Sequence, residues 1–297
     1  MELNWLDDFI ALAEFESFSR AAKFRNITQP AFSRRIRSLE EWLGVDLFTR
    51  TYQGATLTPA GREVLSSAQE LSRRFYQFRT KAREAAGKEQ RLLRFAATYS
   101  LSFTFFPKWI RSLDSKALFE SIRLTTESMK ACEQMLINGD SSFLLCHCHP
   151  DIPTNLPGEQ FIYKTIGLEC LVPVTGNAPT FNTDSPEQDS IPFLKFSRES
   201  ALGRILDKKL LDFPTDLNLE VIFESHLSPV LLSMAIENKG IAWLPKSIIE
   251  NELNNGKLQI AFSERLYIPL EIRVYRPVGN LGVFIEGFWA SIPENLE

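Results

Sequence analysis

The 297 residues predict an α/β protein whose N-terminal part is rich in α-helices. Apolar residues recur at helical spacing over the first part of the chain, whereas short apolar strands alternate with helices from Leu92 onward. Charge divides the chain in the same way, because residues 1–94 contain 16 Lys/Arg and 12 Asp/Glu although the net charge of the chain is −4. The N-terminal part is therefore the place to look for a surface that binds nucleic acid.

Composition and the lack of membrane signals restrict the class of protein. Hydrophobic residues make up 44% and charged residues 24% of the sequence, which is typical of compact globular domains. No apolar run approaches the ~20 residues of a membrane span, and Met1-Glu2-Leu3-Asn4 lacks the basic and apolar regions of a signal peptide. We therefore expect a cytoplasmic protein with no membrane partner, in which the four cysteines remain thiols.

Residues 1–58 predict three helices followed by a two-stranded wing. Apolar residues at helical spacing define the first helix, and Ser17 or Ser19 can cap a short second one. Thr28 is a suitable N-cap for the third helix, and Gly44 marks its end. The inner face of this third helix is formed by Phe32, Ile36, Leu39 and Leu43. The arrangement is a winged helix-turn-helix whose third helix is the recognition helix.

The outer face of the recognition helix presents side chains that can bind DNA. These side chains are Gln29, Ser33, Arg34 and Arg37. Gln and Arg form paired hydrogen bonds with adenine and guanine edges in the major groove, while Ser and Arg also bind phosphates. Val45–Phe48 and Thr56–Leu57 predict the wing strands, and Arg50 between them is a candidate contact to the minor groove or a phosphate. An arginine-rich face that serves only solubility is the alternative interpretation.

A longer motif resembles the signature of the LysR-type transcriptional regulators. The similar segments are Phe18–Ala22, Thr28–Arg37, Leu39–Val45, Leu47–Arg50 and Leu57–Gly61. The resemblance implies that Gln29, Pro30, Ser33, Arg34 and Arg50 contact DNA, and Thr28 and Arg37 complete the predicted DNA-binding set. The wing tip, Tyr52–Ala55, lacks the basic residues that many members carry there, so we expect little affinity from the tip.

Residues 59–90 predict a linker made of one long helix and a polar hinge. Thr58 can cap the helix and Pro59 suits its first position. Apolar residues on alternating three- and four-residue steps form a coiled-coil seam that contains Val64, Ala68, Leu71, Phe75 and Phe78. A second copy of the chain would cover this seam, although the chain's own wing domain can bury part of it. In the resembling family this helix dimerises, so we expect a dimer, or a dimer of dimers, on double-stranded promoter DNA.

Residues 91–297 predict the α/β domain. In such sheets ligands bind at the carboxyl ends of the strands. The family resemblance implies two subdomains joined by two crossovers, as in a periplasmic binding protein, with a small-molecule effector in the cleft. The expected subdomains are residues 91–161 with 269–297, and residues 162–268.

Polar residues that follow the predicted strands are candidate contacts to the effector. They are Thr98, Ser100, Ser102, Glu127, Ser128, Ser197, Arg198 and His226, together with the adjacent Leu227. Helix N-termini at these places offer free amides to anions or polar groups. The Ser and Thr side chains can instead act as helix caps, which leaves a structural alternative for each.

The run Cys146-His147-Cys148-His149 contains four potential zinc ligands. Alternate side chains of a strand point to opposite faces, so no more than two of them can reach one ion. We therefore predict neither a metal site nor a cofactor. Ordinary packing, or a thiol that responds to oxidants, explains the run instead.

Other segments resemble the hypochlorite-responsive subgroup of LysR-type regulators. They are Ser100–Ser102, Leu194–Arg198, Gly203–Arg204 and Gly240–Pro245. Methionine oxidation is the trigger associated with that subgroup, but its methionine positions align with Leu113, Leu202 and Leu227, and leucine forms no sulfoxide. The residues left for an oxidant are Cys146, Cys148, Met129, Met135 and Met234.

The whole sequence predicts a transcription regulator, not an enzyme, whose α/β domain senses a small effector or an oxidant and alters promoter binding. A solute-binding module and an enzyme that uses the cleft are the alternatives. His147, His149 and His226 could join serines in a catalytic triad, yet no Gly-x-Ser-x-Gly motif accompanies them.

Overall fold

The computed structural model describes residues 2–51, 54–86, 92–113, 121–156, 158–179, 190–213 and 217–293. Two compact units divide the chain. The first consists of Met1–Glu89 with Ile137–Gly139, and the second of Gln90–Leu136 with Asp140–Glu297. In the described part of the chain, no helix is long and apolar enough to cross a membrane.

The first unit is a winged helix-turn-helix that continues into a long helix. Its elements are α1 (Leu3–Phe15), α2 (Phe18–Phe24), α3 (Gln29–Leu43), β1 (Phe48–Thr51), β2 (Gly54–Leu57) and α4 (Pro59–Ala85). Ser17 caps α2 by accepting a hydrogen bond from the Arg20 amide, and Gly44 ends α3 in the left-handed conformation with φ of 73°. Thr28 precedes α3 but makes no side-chain cap bond. The fold class predicted for this part is confirmed.

The C-terminal end of α3 packs differently from the predicted inner face of this helix. Phe32, Ile36 and Leu39 are buried against α1 and α2 in the core of this unit. Leu43 is 40% exposed, because Gly44 turns the chain away directly after it. The prediction that Leu43 belongs to the inner face is therefore wrong.

The first wing strand lies later in the chain than the sequence predicts, and the second begins two residues earlier. β1 pairs with β2 in antiparallel register, with Arg50 opposite Ala55. Arg50 is therefore part of a strand and not of the loop, while the tip residues Tyr52 and Gln53 lie outside the described residues. The Glu40 carboxylate fixes the start of the wing, since it accepts hydrogen bonds from the Leu47 and Phe48 amides at 2.9 and 3.1 Å.

The predicted seam of α4 divides into a buried and an exposed part. Ala68 is buried and Val64 half-buried, and both join the core of the first unit. Leu71, Phe75 and Phe78 are 56%, 46% and 68% exposed. Val64 and Ala68 thus pack on their own wing domain, and only the later part of the seam is open to a partner.

The second unit is a mixed α/β structure. Its strands are β3 (Leu92–Thr98), β4 (Ser121–Glu127), β5 (Phe143–Cys148), β6 (Phe161–Gly176), β7 (Ile191–Phe196), β8 (Leu219–Ser225), β9 (Ala242–Pro245), β10 (Leu258–Ile260) and β11 (Ile268–Pro277). Its helices are α5 (Tyr99–Thr104), α6 (Phe106–Ser112), α7 (Met129–Ile137), α8 (Ala201–Lys209), α9 (Ser228–Ile236), α10 (Lys246–Asn254) and α11 (Val283–Ser291), with a 3₁₀ turn at Glu264–Leu266.

The main sheet has the strand order β10-β6-β11-β5-β3-β4, and β9 also pairs with β6. β3 runs parallel to β4 and β5, whereas β11 is antiparallel to β5 and β6. β7 and β8 form a parallel pair that an isolated bridge links to Ile241, next to β9. The α/β class predicted for this domain is confirmed.

Two hydrophobic cores lie in the second unit, and β6 and β11 run through both. On β6, Ile166 belongs to one core and Leu171 to the other. On β11, Leu270 and Ile272 belong to different cores in the same way. β6 and β11 are thus long paired strands that each pass from one core to the other.

Candidate DNA-binding surface and ligand cleft

The N-terminal half of α3 forms an open polar surface. Of the predicted DNA-binding residues, Ser33 is half-buried, and the exposed ones are Thr28, Gln29, Pro30, Arg34, Arg37 and Arg50. Amides in the first turn of a helix lack intrahelical acceptors, so this end is also suited to phosphate. The surface therefore has donors for base edges and for the DNA backbone together.

The wing residue Arg50 is held against the recognition helix. Its Nη2 donates a hydrogen bond to Ser33 Oγ at 3.2 Å, and its guanidinium lies 4.9 Å from the centre of the Phe18 ring. The cation–π contact restrains the side chain while leaving the other donors of the guanidinium open. Arg50 and Ser33 consequently form one connected donor surface.

A cleft lies in the second unit where strands β3, β4, β5 and β8 end and helices α5, α7 and α8 begin. The space between its walls, counted together with the open solvent at its mouth, is about 310 Å³. Five predicted effector residues line it: Thr98, Ser100, Glu127, Ser128 and His226. The helices contribute N-terminal amides at the same place, as expected for the carboxyl edge of a sheet.

Four other predicted effector residues lie elsewhere. Ser102 is buried inside α5, which begins directly after β3, and it donates to the Tyr99 carbonyl at 2.8 Å. Leu227 precedes α9 and does not line the cleft. Ser197 and Arg198 line a neighbouring groove with Lys195, Glu199, Glu224 and Ser225, and His226 is shared by the groove and the cleft.

Sequence reasoning missed six residues of the cleft as effector contacts. They are Tyr99, Met129, His147, Ser200, Ala201 and Leu202. Ser200 had a usable signal, because a serine before an apolar helix is a typical N-cap, and its Oγ does accept a bond from the Gly203 amide at 2.9 Å. His147 had only its alternation with Cys146 and Cys148, which directs it to the opposite face of β5.

Two contacts join the walls of the cleft. Ser100 Oγ and Ser228 Oγ are hydrogen-bonded at 2.8 Å, and the ring centres of Tyr99 and His226 are 5.2 Å apart. Ser100 and Tyr99 belong to the N-terminus of α5, whereas Ser228 and His226 flank the start of α9. Both contacts therefore connect elements that belong to the two different cores.

Two buried polar atoms at the cleft have no hydrogen-bond partner among the described residues. They are His147 Nε2 and Thr98 Oγ1. Burial lowers the pKa of His147 to about 3, so its imidazole is neutral near pH 7. Tyr99 stays protonated as well, since burial and the nearby Glu127 carboxylate raise its pKa. The cleft thus offers neutral hydrogen-bonding groups beside the single carboxylate of Glu127.

The cysteines of β5 form a buried thiol pair on the face opposite His147. Cys146 Sγ and Cys148 Sγ are 3.6 Å apart, and Cys148 Sγ is also 3.6 Å from the Tyr275 hydroxyl. The hydrogen bond from Cys146 lowers the pKa of Cys148, with help from Tyr275 and Arg273 and against burial. The same bond and burial raise the pKa of Cys146. Cys148 is therefore the more acidic thiol.

The remaining candidates for redox chemistry or metal binding are three methionines and His149. Met129 is buried at the cleft, while Met135 and Met234 are partly buried. His149 Nδ1 accepts a hydrogen bond from the Asp151 amide at 3.1 Å. Within the described ranges, no group of three or more His, Cys, Asp or Glu side chains could hold a metal ion.

Two family models match this chain. The bacterial regulatory helix-turn-helix model of the lysR family matches residues 3–62, and the LysR substrate binding domain model matches residues 86–296. The chain therefore belongs to the LysR family, and it is a DNA-binding transcription regulator with a C-terminal effector-binding domain. The family predicted from the helix-turn-helix motif is confirmed.

Relatives extend over nearly the whole chain. The HTH-type transcriptional regulator YjiE of Escherichia coli is 29% identical over 294 residues, which is 99% of this chain and 95% of the relative. The structure of VV2_1132, a LysR family transcriptional regulator, has a TM-score of 0.58 at 32% identity and covers 99% of both chains.

Two other solved structures are similar in sequence and fold. HypT from Salmonella typhimurium, described as a hypochlorite-specific LysR-type regulator, has a TM-score of 0.57 at 29% identity and covers 98% of this chain and 96% of its own. DarR from Vibrio fischeri, solved in complex with DNA, has a TM-score of 0.57 at 28% identity and covers 100% and 99%.

Proposed function

We propose that this regulator binds operator DNA as a dimer, or as a dimer of dimers, and that a small polar effector in the cleft changes its DNA binding. The observation that carries the effector site is the pair of unpartnered buried atoms, His147 Nε2 and Thr98 Oγ1. A buried polar atom without a partner costs about 1–3 kcal/mol, so a ligand that bonds to both atoms gains that free energy on binding.

The chemistry of the cleft restricts the effector. Neutral His147 accepts or donates one hydrogen bond, Thr98 can do both, and the first-turn amides of α8 donate near Ala201 and Leu202. These groups suit an anion or a polar group with lone pairs, while Glu127 suits a donor on the other side of the ligand. The relative HypT has also been solved with a bromide ion bound to its regulatory domain, which supports a small anion as one probe.

Ligand-induced stabilisation tests the effector site. Sodium bromide and a panel of small carboxylates would be titrated against the full chain, with the melting temperature as the readout. We expect at least one probe to raise the melting temperature of the wild type and not that of Thr98→Val or His147→Gln. Arg198→Ala is the matched control, because Arg198 lies in the neighbouring groove. A probe that stabilises all variants equally would place binding outside the cleft.

The predicted contacts to DNA form the other half of the proposal. We assign base reading to Gln29, Ser33, Arg34 and Arg37, and backbone contacts to Thr28, Pro30 and Arg50. Their common exposure at the start of α3 and on β1 supports this assignment. DNase footprinting on the DNA flanking the gene would give the operator. A chain that protects no fragment at moderate salt would contradict the proposal.

Dimerisation, compartment and lack of catalysis belong to the same proposal. Three exposed apolar side chains on α4, Leu71, Phe75 and Phe78, support a partner helix from a second copy. We place the protein in the cytoplasm, where it has access to the chromosome. We also propose that the cleft binds its ligand without turnover, as expected for a relative of transcription regulators. NMR of the bound ligand over time would reveal any product.

An oxidant signal is the second candidate, and the Cys146–Cys148 pair favours it. One molecule of hydrogen peroxide would oxidise the two thiols to a disulfide and be reduced to two molecules of water, with the Cys148 thiolate as the nucleophile. The test is mass spectrometry of peptides after mild peroxide or hypochlorite treatment, with Cys170 as an internal control. Oxidation of Met129, Met135 or Met234 before either thiol would move the sensor to methionine.

A further inference from the structure

Two adjacent carboxylates on α1, Asp7 and Asp8, point to a role that the DNA-contact residues do not cover. Asp8 is fully buried, and the side chain of Asp7 is only 9% exposed. Consecutive residues on a helix point about 100° apart, so the pair can reach two different neighbours. A buried carboxylate persists only if it is paired and hydrogen-bonded. The partners of each aspartate therefore define what the pair does.

Asp8 connects α1 to the recognition helix. Its Oδ1 accepts a hydrogen bond from Arg25 Nε at 2.8 Å, and its Oδ2 lies 3.3 Å from Arg35 Nη1. Arg35 is on α3, and Arg25 follows the end of α2. Both carboxylate oxygens of Asp8 are thus engaged. All three helices of the winged helix-turn-helix, here called the reader, meet at this residue.

Asp7 connects α1 to the long helix α4. Its Oδ1 accepts a hydrogen bond from Ser72 Oγ at 2.7 Å, and its Oδ2 accepts one from the Tyr76 hydroxyl at 2.8 Å. Ser72 and Tyr76 are four residues apart, hence on one face of the helix. Arg25 joins the two carboxylates, because its Nη2 is 3.3 Å from Asp7 Oδ2. A continuous chain of polar contacts therefore runs from α4 through Asp7, Arg25 and Asp8 to α3.

The same turns of α4 carry two different surfaces. Ser72 and Tyr76 face the reader, while Leu71, Phe75 and Phe78 are exposed. Earlier on the helix, Val64 and Ala68 make apolar contacts to the core, which have little directional preference. Hydrogen bonds depend on angle, so the Asp7 contacts fix the direction in which α4 leaves the reader.

We propose that Asp7, through Ser72 and Tyr76, is a positioning element that fixes the angle between the linker helix and the recognition helix, and thereby sets the spacing of operator half-sites that a dimer accepts. The inference rests on the proposed function, because only a dimer presents two recognition helices at a defined separation. It goes beyond that function in assigning half-site spacing to residues that touch no DNA.

The test compares operators of different spacing. The probe is the footprinted operator fragment, with one to three base pairs inserted or removed between the half-sites. Each base pair turns one half-site by about 35° around the duplex axis. The variant is Ser72→Ala with Tyr76→Phe, which removes both α4 donors to Asp7, keeps the Arg25 contact and introduces no charge. Ser67→Ala, at an exposed position of the same helix, is the matched control.

The wild type and Ser67→Ala are expected to bind the native spacing at least about tenfold more tightly than the altered ones, as a loss of one or two specific contacts would imply. For the double variant we expect the native spacing to be bound less than about threefold more tightly than the altered ones. Its base preference and its dimerisation should be unchanged. Retained spacing preference, or equal weakening at every spacing, would overturn the inference. A wild type that binds operators of every spacing with equal affinity would overturn the inference as well.

A second measurement covers variants that fold poorly. The single substitutions Ser72→Ala and Tyr76→Phe each leave one bond from α4 to Asp7, and each should give an intermediate preference at an unchanged circular dichroism spectrum. If both single variants keep the full wild-type preference for the native spacing, the inference fails. A wild type that binds no operator fragment would contradict the proposed function itself, which separates the two results.

Discussion

Arg50 on the first wing strand donates a hydrogen bond to Ser33 on the recognition helix, across 3.2 Å between Nη2 and Oγ. The wing and the recognition helix are therefore coupled before DNA is present. Because the Arg50 guanidinium also lies over Phe18, its orientation is restricted in the free protein. If Arg50 binds the DNA backbone as proposed, it then loses less conformational entropy on binding.

Arg50→Ala should weaken binding to all DNA sequences to a similar degree. If Arg50 contacts one phosphate, the slope of log affinity against log salt falls by about one, and base preference stays. Fluorescence anisotropy over a salt series on the operator and on a scrambled duplex would measure both quantities. An unchanged slope would show that Arg50 does not bind the backbone.

Arg34→Ala should act differently, because Arg34 is assigned to a base edge. We expect a loss of about 1–3 kcal/mol on the operator and relaxed preference at one base-pair position. Competition against operators with single base changes would identify that position. Lys23→Ala, at an exposed site on α2, serves as the control. Equal binding of the operator by Arg34→Ala and the wild type would refute the assignment of α3.

Phe78→Asp should disrupt self-association. Phe78 is 68% exposed, so its replacement costs the single chain little stability, but a carboxylate in a coiled-coil seam opposes a partner helix. Sedimentation velocity would show a shift from dimer to monomer, accompanied by weaker operator binding. Ala82→Asp, farther along α4, tests whether the seam continues. Persistence of the dimer in both variants would place the interface on another surface.

His147 should make stability depend on pH. Its pKa in the folded chain is about 3, well below the ordinary value of 6.5, because burial disfavours the imidazolium. As pH falls below about 6.5, the unfolded chain takes up a proton that the folded chain does not, so the free energy of unfolding decreases by up to about 1.4 kcal/mol per pH unit. Urea denaturation between pH 7 and 4 would measure this slope.

His147→Gln provides the comparison for that pH series. The variant lacks the titrating group, so its stability relative to the wild type should improve steadily as the pH decreases. Curves that remain parallel over the whole range would mean that the imidazole titrates with the same pKa in the folded and in the unfolded chain.

Local sequence rules accounted for the helix-turn-helix well. A serine before α2 and a glycine after α3 act through backbone groups within a few residues, so Gly44 could be assigned, and the α2 cap narrowed to Ser17 or Ser19, without any tertiary structure. Leu43 was misassigned because periodicity alone does not show which neighbour covers the last turn of a helix. For the same reason, periodicity did not show where along α4 the buried part of the seam ends and the exposed part begins.

The cleft and the Asp7–Asp8 network depend on contacts between distant residues. Ser102 was misplaced because its position after a strand did not show that α5 begins directly at Tyr99, which puts Ser102 inside the helix. Asp7 meets Ser72 and Tyr76 more than 60 residues away, and no local pattern encodes such a pairing. His147 is similar, since its importance comes from the lack of a partner for Nε2 in the folded chain.

The paired strands β6 and β11 make the link between the subdomains a ribbon. They are hydrogen-bonded from Phe161 opposite Pro277 to Leu171 opposite Ile268, and a bulge interrupts the register beside Ile272. A bulge bends and twists a ribbon locally, whereas the intact pairs on either side resist shear. We therefore expect the ribbon to twist at this bulge more easily than its two strands slide past each other. An effector that bridges the walls of the cleft would change the twist of this ribbon, and that change would extend across the regulatory domain.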